Sequence, residues 1–135
     1  MSLQFIHDFQ VKIYQLLANN RGVSTQIDKI YLSVVQDAKY PFLLITILNV
    51  VNLSRFDQAI YEIDFEIAGF ARDKNQGILT SLADKITAVL TMRNCAFQEY
   101  ILAGLNMLEV KFARSQDLIT TKLTINYKAL IKKEV

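Results

Sequence analysis

The stretch YEIDFEI, residues 61–67, decides the fold because it alternates without interruption between apolar and acidic side chains. Successive side chains of a β-strand point to opposite faces, so this alternation is typical of a strand with one buried and one polar face. The apolar set is Tyr61, Ile63, Phe65 and Ile67, and the acidic set is Glu62, Asp64 and Glu66. The stretch therefore predicts a sheet with one face against a hydrophobic core.

Two amphipathic helices are predicted on either side of this strand. Apolar spacings of three and four predict the first helix over about residues 3–20, with Gly22 as a left-handed stop. The second helix is predicted over about residues 74–93, with Asp73 and Gln76 as a capping box and Asn94 at its end. The residues that we expect to be buried together are Phe9, Ile13, Leu16, Leu82, Ile86, Val89, Ile63, Phe65 and Ile125.

Runs rich in β-branched and aromatic residues predict the other strands. These extended segments are residues 29–35, 42–51, 97–103, 107–114 and 119–131, with a turn at Gly104-Leu105-Asn106. In the segment 107–114, we expect Leu108, Val110 and Phe112 to share one face. The element order is then α-β-β-β-α-β-β-β. We predict one α+β domain over residues 1–135, with a mainly antiparallel sheet of about five to six strands and two helices packed on one face.

The strand predicted at residues 42–51 is apolar on both faces, because Phe42 and Leu44 alternate with Leu43 and Ile45. Two helices can cover only one face of a sheet. Either the sheet curls so that both faces are covered, or part of the second face meets another subunit. Phe42 and Leu44 are therefore candidate interface residues.

The connection at residues 52–58 is a second candidate interface. In this otherwise polar segment, Phe56 stands between the opposite charges of Arg55 and Asp57. Aromatic and arginine side chains are enriched at the centres of protein interfaces. The alternative is that Phe56 packs back under its own hairpin.

The composition argues against several classes of function. The 135 residues carry a net charge of +2 and contain four scattered glycines, which form no phosphate-binding loop. A charge this small does not require a nucleic-acid partner. The run at residues 42–51 is too short to span a membrane, and the first ten residues lack a secretion signal. We expect no cofactor, no membrane contact, and synthesis and use in the cytoplasm of a host cell.

Metal or thiol chemistry has little support in the sequence. His7 is the only histidine and Cys95 the only cysteine, too few for the usual zinc ligand sets. A Cys95–His7 pair would need the fold to bring the two residues together. We therefore expect no metal site.

Asp64 and Glu66 are the best catalytic candidates, because alternate residues of a strand stand about 7 Å apart on one face, a distance that suits an acid and a base. The competing interpretation is that the acids form ion pairs across the sheet. Their partners would then be lysines such as Lys111, Lys122 or Lys128.

Several segments in a fixed order carry a resemblance to a known family. They are LL at 16–17, KIY at 29–31, YPFLLI at 40–45, the alternating strand at 61–67, the helix after it, and LTINYK at 123–128. Over nearly its full length the chain resembles the tail-terminator or tail-completion proteins of long-tailed phages, prophages and gene-transfer agents.

The resemblance implies a structural virion protein without catalysis or cofactor. It implies a homo-oligomeric ring, typically of six subunits, that caps the tail tube and joins it to the head. The implied partners are the tail-tube protein and the head–tail connector, with DNA passing through the ring without specific binding, and the protein would end in the tail of the particle. Two alternatives stay open: a small enzyme using Asp64 with Glu66 or Cys95 with His7, and another head–tail joining adaptor.

Overall fold

The computed structural model describes residues 3–72, 76–91 and 96–133 of the chain. The helices within these ranges are α1 (Gln4–Ala18), α2 (Arg21–Ser24) and α3 (Gln76–Val89). The strands are β1 (Lys29–Tyr31), β2 (Phe42–Asn52), β3 (Ile60–Arg72), β4 (Ala96–Phe97), β5 (Tyr100–Arg114) and β6 (Thr120–Lys133). None of the helices in these ranges is long and apolar enough to cross a membrane.

The strands form one six-stranded sheet in the order β1-β2-β3-β6-β5-β4, curved into a half-barrel. The expected sheet was mainly antiparallel, but the sheet is mixed. Its first pair, β1 and β2, is parallel, whereas the four other neighbouring pairs are antiparallel. The mixture arises because the chain crosses between β1 and β2 through residues 32–41 and enters β2 in the direction of β1.

The two longer helices pack on one face of the sheet, here called the helix side. Phe9 of α1 lies edge-on to Phe65 of β3, with 5.2 Å between the ring centroids. Gly69 of β3 lets α3 approach closely, because a Cβ there would stand 3.3 Å from the side chain of Leu79 and 3.2 Å from that of Leu43. The opposite face of the sheet is called the second face.

The predicted core is confirmed except at one position. The apolar set of the 61–67 stretch is buried on the helix side, and Ile125 joins it from β6. On α1 the fully buried residues follow a spacing of four, Phe5, Phe9, Ile13 and Leu17. Leu16 is only half-buried at the margin of the core, because that spacing turns Leu17 inward instead.

The chain between α1 and β2 departs from the prediction. Gly22 does not stop the first helix in a left-handed conformation, since no glycine of the described residues has a positive φ. Asn20 instead begins the short helix α2, where its side chain accepts a hydrogen bond from the Val23 backbone N–H at 3.2 Å. The element order therefore gains a helix. The extended segment predicted at 29–35 ends at Tyr31 as β1.

The last third of the chain differs most from the prediction. The expected turn at residues 104–106 lies inside β5, which runs unbroken from Tyr100 to Arg114. The pairing of β5 with β6 shifts at Ala103 and again at Leu108, so each is the extra residue of a β-bulge. The strand predicted at 97–103 is instead broken at Gln98, whose φ is 52°. The capping pair Asp73 and Gln76 and the helix end at Asn94 lie outside the residues or side chains that the structure describes.

Candidate interface surfaces

The hairpin between β2 and β3 ends in a tight turn that exposes Phe56. Arg55 and Gln58 exchange two backbone hydrogen bonds of 3.1 and 2.9 Å, which leaves Phe56 and Asp57 as the turn residues. The Phe56 side chain is fully exposed. The interpretation in which Phe56 packs under its own hairpin is therefore wrong.

Phe56 also has an unfavourable backbone conformation. Its φ is 51°, in the left-handed region that bulky side chains rarely adopt. Such a residue costs about 1–3 kcal/mol and is found most often at functional sites. A strained and exposed aromatic ring at a turn contributes nothing to the core of its own chain, so this tip is a candidate contact point.

Phe42 lies on the second face in an aromatic cluster, defined as Tyr31, Tyr40, Phe42 and Phe70. The Phe42 ring stacks on the Phe70 ring with 4.8 Å between centroids and contacts the Tyr40 and Tyr31 rings at 5.2 and 5.6 Å. Arg72 completes the cluster, with its guanidinium 4.2 Å from the centroid of Tyr40. The chain itself thus covers much of this apolar surface.

The curvature of the sheet accounts for the burial of second-face side chains only in the first half of β2. Leu44 is half-buried on the second face, where its register partner Ala68 is fully buried. Further along β2, Leu48 and Val51 are exposed. Leu48 is exposed because it is the extra residue of a bulge between Ile47 and Asn49. The end of β2 is therefore an uncovered apolar surface.

The acidic row on the second face forms ion pairs with a lysine, as one of the two interpretations of the sequence predicted. Lys128 of β6 holds its ammonium 3.4 Å from the carboxylate of Glu62 and 4.0 Å from that of Asp64. The second distance is too long for a hydrogen bond. Glu66 faces the backbone positions of Thr46 and Asn126. The row is thus a partly neutralised strand face.

The two other lysines named from the sequence do not pair with this row. Lys111 instead forms an exposed ion pair of 3.4 Å with Glu109 of its own strand. Lys122 places its ammonium 5.7 Å from the ring centroid of Phe70, which belongs to the aromatic cluster. Lys128 lies directly opposite Asp64 in the sheet register and diagonally across from Glu62, which explains why it alone of the three reaches the acids.

The structure brings together no metal-binding group among residues 3–72, 76–91 and 96–133, where no three histidine, cysteine, aspartate or glutamate residues are close enough. His7 is exposed on α1. Cys95 lies outside the described residues, so the predicted alternative of a Cys95–His7 pair is not tested.

An exposed apolar surface that the sequence did not single out lies on β5. We define the β5 strip as Met107, Leu108, Val110 and Phe112, of which Leu108 is 57% and Phe112 53% exposed. Met107, Val110 and Phe112 share the helix side, because they pair with Tyr127, Ile125 and Leu123. Leu108, the bulge residue, has no register partner, so the pairing confirms the predicted shared face for Val110 and Phe112. The strongest contacts of α1 and α3 are with β2, β3, β4 and β6, and beside β5 the residues Gly77 and Thr80 of α3 line a shallow groove with Phe112.

The outer edge of β5 is also unpaired beside this strip. The short strand β4 pairs with Tyr100 and Ile101 only, and no described strand lies beyond residues 102–113. Unpaired strand edges bind other strands unless charges, prolines or bulges block them. This edge contains two bulges and the Glu109–Lys111 ion pair. The bulges lie at Ala103 and Leu108, so residues 109–113 keep a regular edge, which forms a candidate docking surface together with the strip.

At the opposite edge of the sheet, β1 borders a shallow groove. The groove has a volume of about 460 Å³ and lies between α1 and β1. We call it the β1 groove, and its apolar lining consists of Tyr14, Ala18, Ile27, Ile30 and Tyr31. Asp28 and Lys29 are exposed at its rim. No described strand lies outside β1, so this edge of the sheet is open as well.

The turn between β5 and β6 is held by one carboxylate. Asp117 accepts hydrogen bonds from the Thr120 and Ile119 backbone N–H groups at 2.9 and 3.0 Å, from the Thr120 hydroxyl at 2.8 Å and from the Ser115 hydroxyl. These bonds, that from Ser115 first, hold the pKa of the Asp117 carboxyl well below its usual range. The turn thereby presents Leu118, which is exposed and has a φ of 64°.

Comparison with solved structures shows that the fold is shared. A chain from the "Virion of native gene transfer agent (GTA) particle" superposes with a TM-score of 0.81 at 16% sequence identity, over 97% of this chain and 99% of that chain. A second solved structure gives a TM-score of 0.55 at 12% identity, over 100% of this chain and 97% of that chain. No family model and no curated protein matches the sequence. At such low identity the likeness shows that this chain has the fold of that virion chain from end to end.

Proposed function

We propose that this chain is a structural protein of a phage-type particle and that it forms a ring, capping the tail tube and joining the tail to the head. The observation that carries the proposal is the end-to-end likeness to a chain of a gene transfer agent virion. The two chains have nearly the same extent, so the likeness covers the whole architecture rather than one motif. The resemblance of the sequence to tail-terminator proteins supports the same role.

The termination of a tail tube places two demands on its cap. Each ring of a growing tube presents the surface that recruits the next ring, so a cap must match the tube on one side and present a different surface on the other. The cap must also close on itself through head-to-tail contacts, which use two different surfaces of each subunit.

The two ends of the sheet differ, so one could form the tube side of the cap and the other its head side. Ile60 pairs with Lys132, whereas Arg72 pairs with Thr120, so the β2–β3 hairpin tip and the β5–β6 turn lie at opposite ends of the sheet. Each tip exposes an apolar side chain, Phe56 at one end and Leu118 at the other. In a ring whose axis follows the strands, one tip would meet the tube and the other would meet the head side.

The charges are compatible with the passage of DNA through such a ring. The net charge is only +2, and Lys128 on the second face is already engaged by Glu62 and Asp64. Affinity for DNA increases with the number of phosphates that lysine and arginine neutralise, and a strongly basic lumen would retain the DNA.

The proposal is tested by adding the purified protein to the tail-tube protein of its own gene cluster while the tubes polymerise. We expect elongation to stop, with a ring visible by electron microscopy at one end of each tube. An exposed substitution on α3, Asp84→Ala, serves as the control and should stop elongation equally well. Tubes that grow to the same length with and without the protein, and carry no ring, would contradict the proposal.

A further inference from the structure

We propose that neighbouring copies of this chain join by continuing the sheet, with the outer edge of β5 in one copy pairing with the outer edge of β1 in the next. The inference rests on the ring of the proposed function and names its subunit contact. The occupant of the β5 edge is a second copy of the same chain. The β1 groove of the second copy receives the β5 strip of the first.

The topology makes this contact a head-to-tail one. In the order β1-β2-β3-β6-β5-β4, β1 and β5 lie near opposite edges of one sheet. From the pairings, β1 runs parallel to β2, and β5 runs opposite to both. Copies repeated around a ring axis keep one orientation, so β5 of one copy meets β1 of the next in antiparallel fashion. Two different surfaces in contact generate a closed ring or a filament rather than a two-fold dimer.

The two edges also match face by face. Ile30 of β1 pairs with the buried Leu43 and therefore belongs to the helix side, as do Val110 and Phe112 of the β5 strip. Continuation of the sheet thus places Ile30 on the same side as the strip. The layer formed by α1, which borders the β1 groove, then covers apolar side chains that stay exposed in their own chain.

The charges on the second face are complementary. Lys29 pairs with Phe42 and Lys111 with Thr124, which puts both lysines on the second face. Glu109 pairs with Asn126 and therefore lies on the same face, where it forms an exposed ion pair of 3.4 Å with Lys111. An exposed pair of this kind contributes only about 0–1 kcal/mol, so its members can exchange partners at little cost. Glu109 can then pair with Lys29 of the next copy.

Site-directed cross-linking tests the contact. Two single variants, Lys29→Cys and Lys111→Cys, are made in a Cys95→Ser background and treated with a short bis-maleimide, which tolerates small differences of register. Each variant alone should stay uncross-linked, and an equal mixture should give a species of twice the monomer mass. A chain that carries both substitutions should give a ladder of multimers that ends at the ring. A matched control, Asp84→Cys with Lys111→Cys, should give none, because Asp84 is exposed on α3.

Three outcomes would overturn the contact. Cross-linking of Lys111→Cys to itself would show that the β5 edge binds a second β5 edge. The absence of a mixed product at every concentration up to the solubility limit, with the circular dichroism spectrum unchanged, would show that the edges do not meet. Equal labelling by the Asp84→Cys control would show random collision. If only the proposed subunit contact is wrong, rings will still be visible on the tube ends. If the proposed function is wrong, the tubes will stay uncapped even when the mixture cross-links.

Discussion

Lys128 on β6 holds its ammonium 3.4 Å from the carboxylate of Glu62 on β3, in a cross-strand ion pair on the second face. The same ammonium stands 4.0 Å from Asp64. Asp64, one of the two carboxylates that best suited an acid and a base in the sequence, therefore shares one cation with Glu62 in the folded chain. This relationship favours a structural role of the strand face.

We expect the double substitution Asp64→Asn with Glu66→Gln to leave the fold and tube capping intact. The loss of partly exposed ion pairs costs only about 0–1 kcal/mol. Thermal melting and the tube-capping assay measure the two results. A hydrolytic activity of the unsubstituted protein that this variant abolishes would favour the enzyme alternative instead.

The substitution Leu82→Ala should lower the free energy of unfolding by about 2–5 kcal/mol, because it leaves a cavity at a fully buried position. Urea unfolding followed by circular dichroism measures the change. Asp84→Ala, two residues further along α3 and exposed, is the control and should change the free energy little. Equal midpoints for Leu82→Ala and the unsubstituted protein would contradict the position of α3.

The substitution Phe56→Gly should raise the free energy of unfolding and weaken both self-association and binding to tail tubes. Glycine removes the strain of a φ of 51°, and the ring that is lost is fully exposed in its own chain. Binding to tail tubes and self-association should fall, as they should for Phe56→Ala, which keeps the strain. Pull-down and sedimentation measure both. If neither variant changes self-association or tube binding, the hairpin tip is not a contact.

Asp117 should make the β5–β6 turn sensitive to acid. Its folded-state pKa is lowered, first by the hydrogen bond from Ser115, so the turn is stabilised above the unfolded pKa, about 4, and that stabilisation is lost as the pH falls through the folded value. The protection of the Thr120 amide against hydrogen exchange, relative to the intrinsic rate at each pH, should therefore fall at low pH. In the Asp117→Asn variant, the Thr120 amide should be less protected already at neutral pH. Lowering the pH should change this protection little, because the variant has no carboxyl group to protonate at this position. Identical pH profiles for the two proteins would contradict the role of Asp117.

The periodicity of the sequence predicted the core residues, because the local pattern of apolar side chains determines which of them face inward. Alternation in the 61–67 stretch and the spacing of Phe9 and Ile13 fix which side chains face inward, whatever lies opposite them. Gly104 was misinterpreted because an isolated glycine in a strand marks either a turn or a bulge. The difference depends on pairing with β6, which the local sequence does not encode.

The candidate interfaces were only partly predictable for the same reason. The sequence left open whether Phe56 is exposed or packed under its hairpin, and the structure shows it exposed, while its role as an interface residue stays a prediction. Phe42 is half-buried because Phe70, distant in sequence, stacks on it. The β5 strip was missed as a surface, because its exposure depends on where the helices lie over the sheet.

The central claim, that this chain terminates the tail, is tested most directly by the distribution of tail lengths after its gene is deleted from its own particle gene cluster. The account predicts abnormally long tails that fail to join heads, with normal lengths restored when the gene is supplied on a plasmid. Tails of normal length that remain unjoined would instead indicate a joining adaptor. Normal infectious or DNA-transferring particles without the gene would contradict the account.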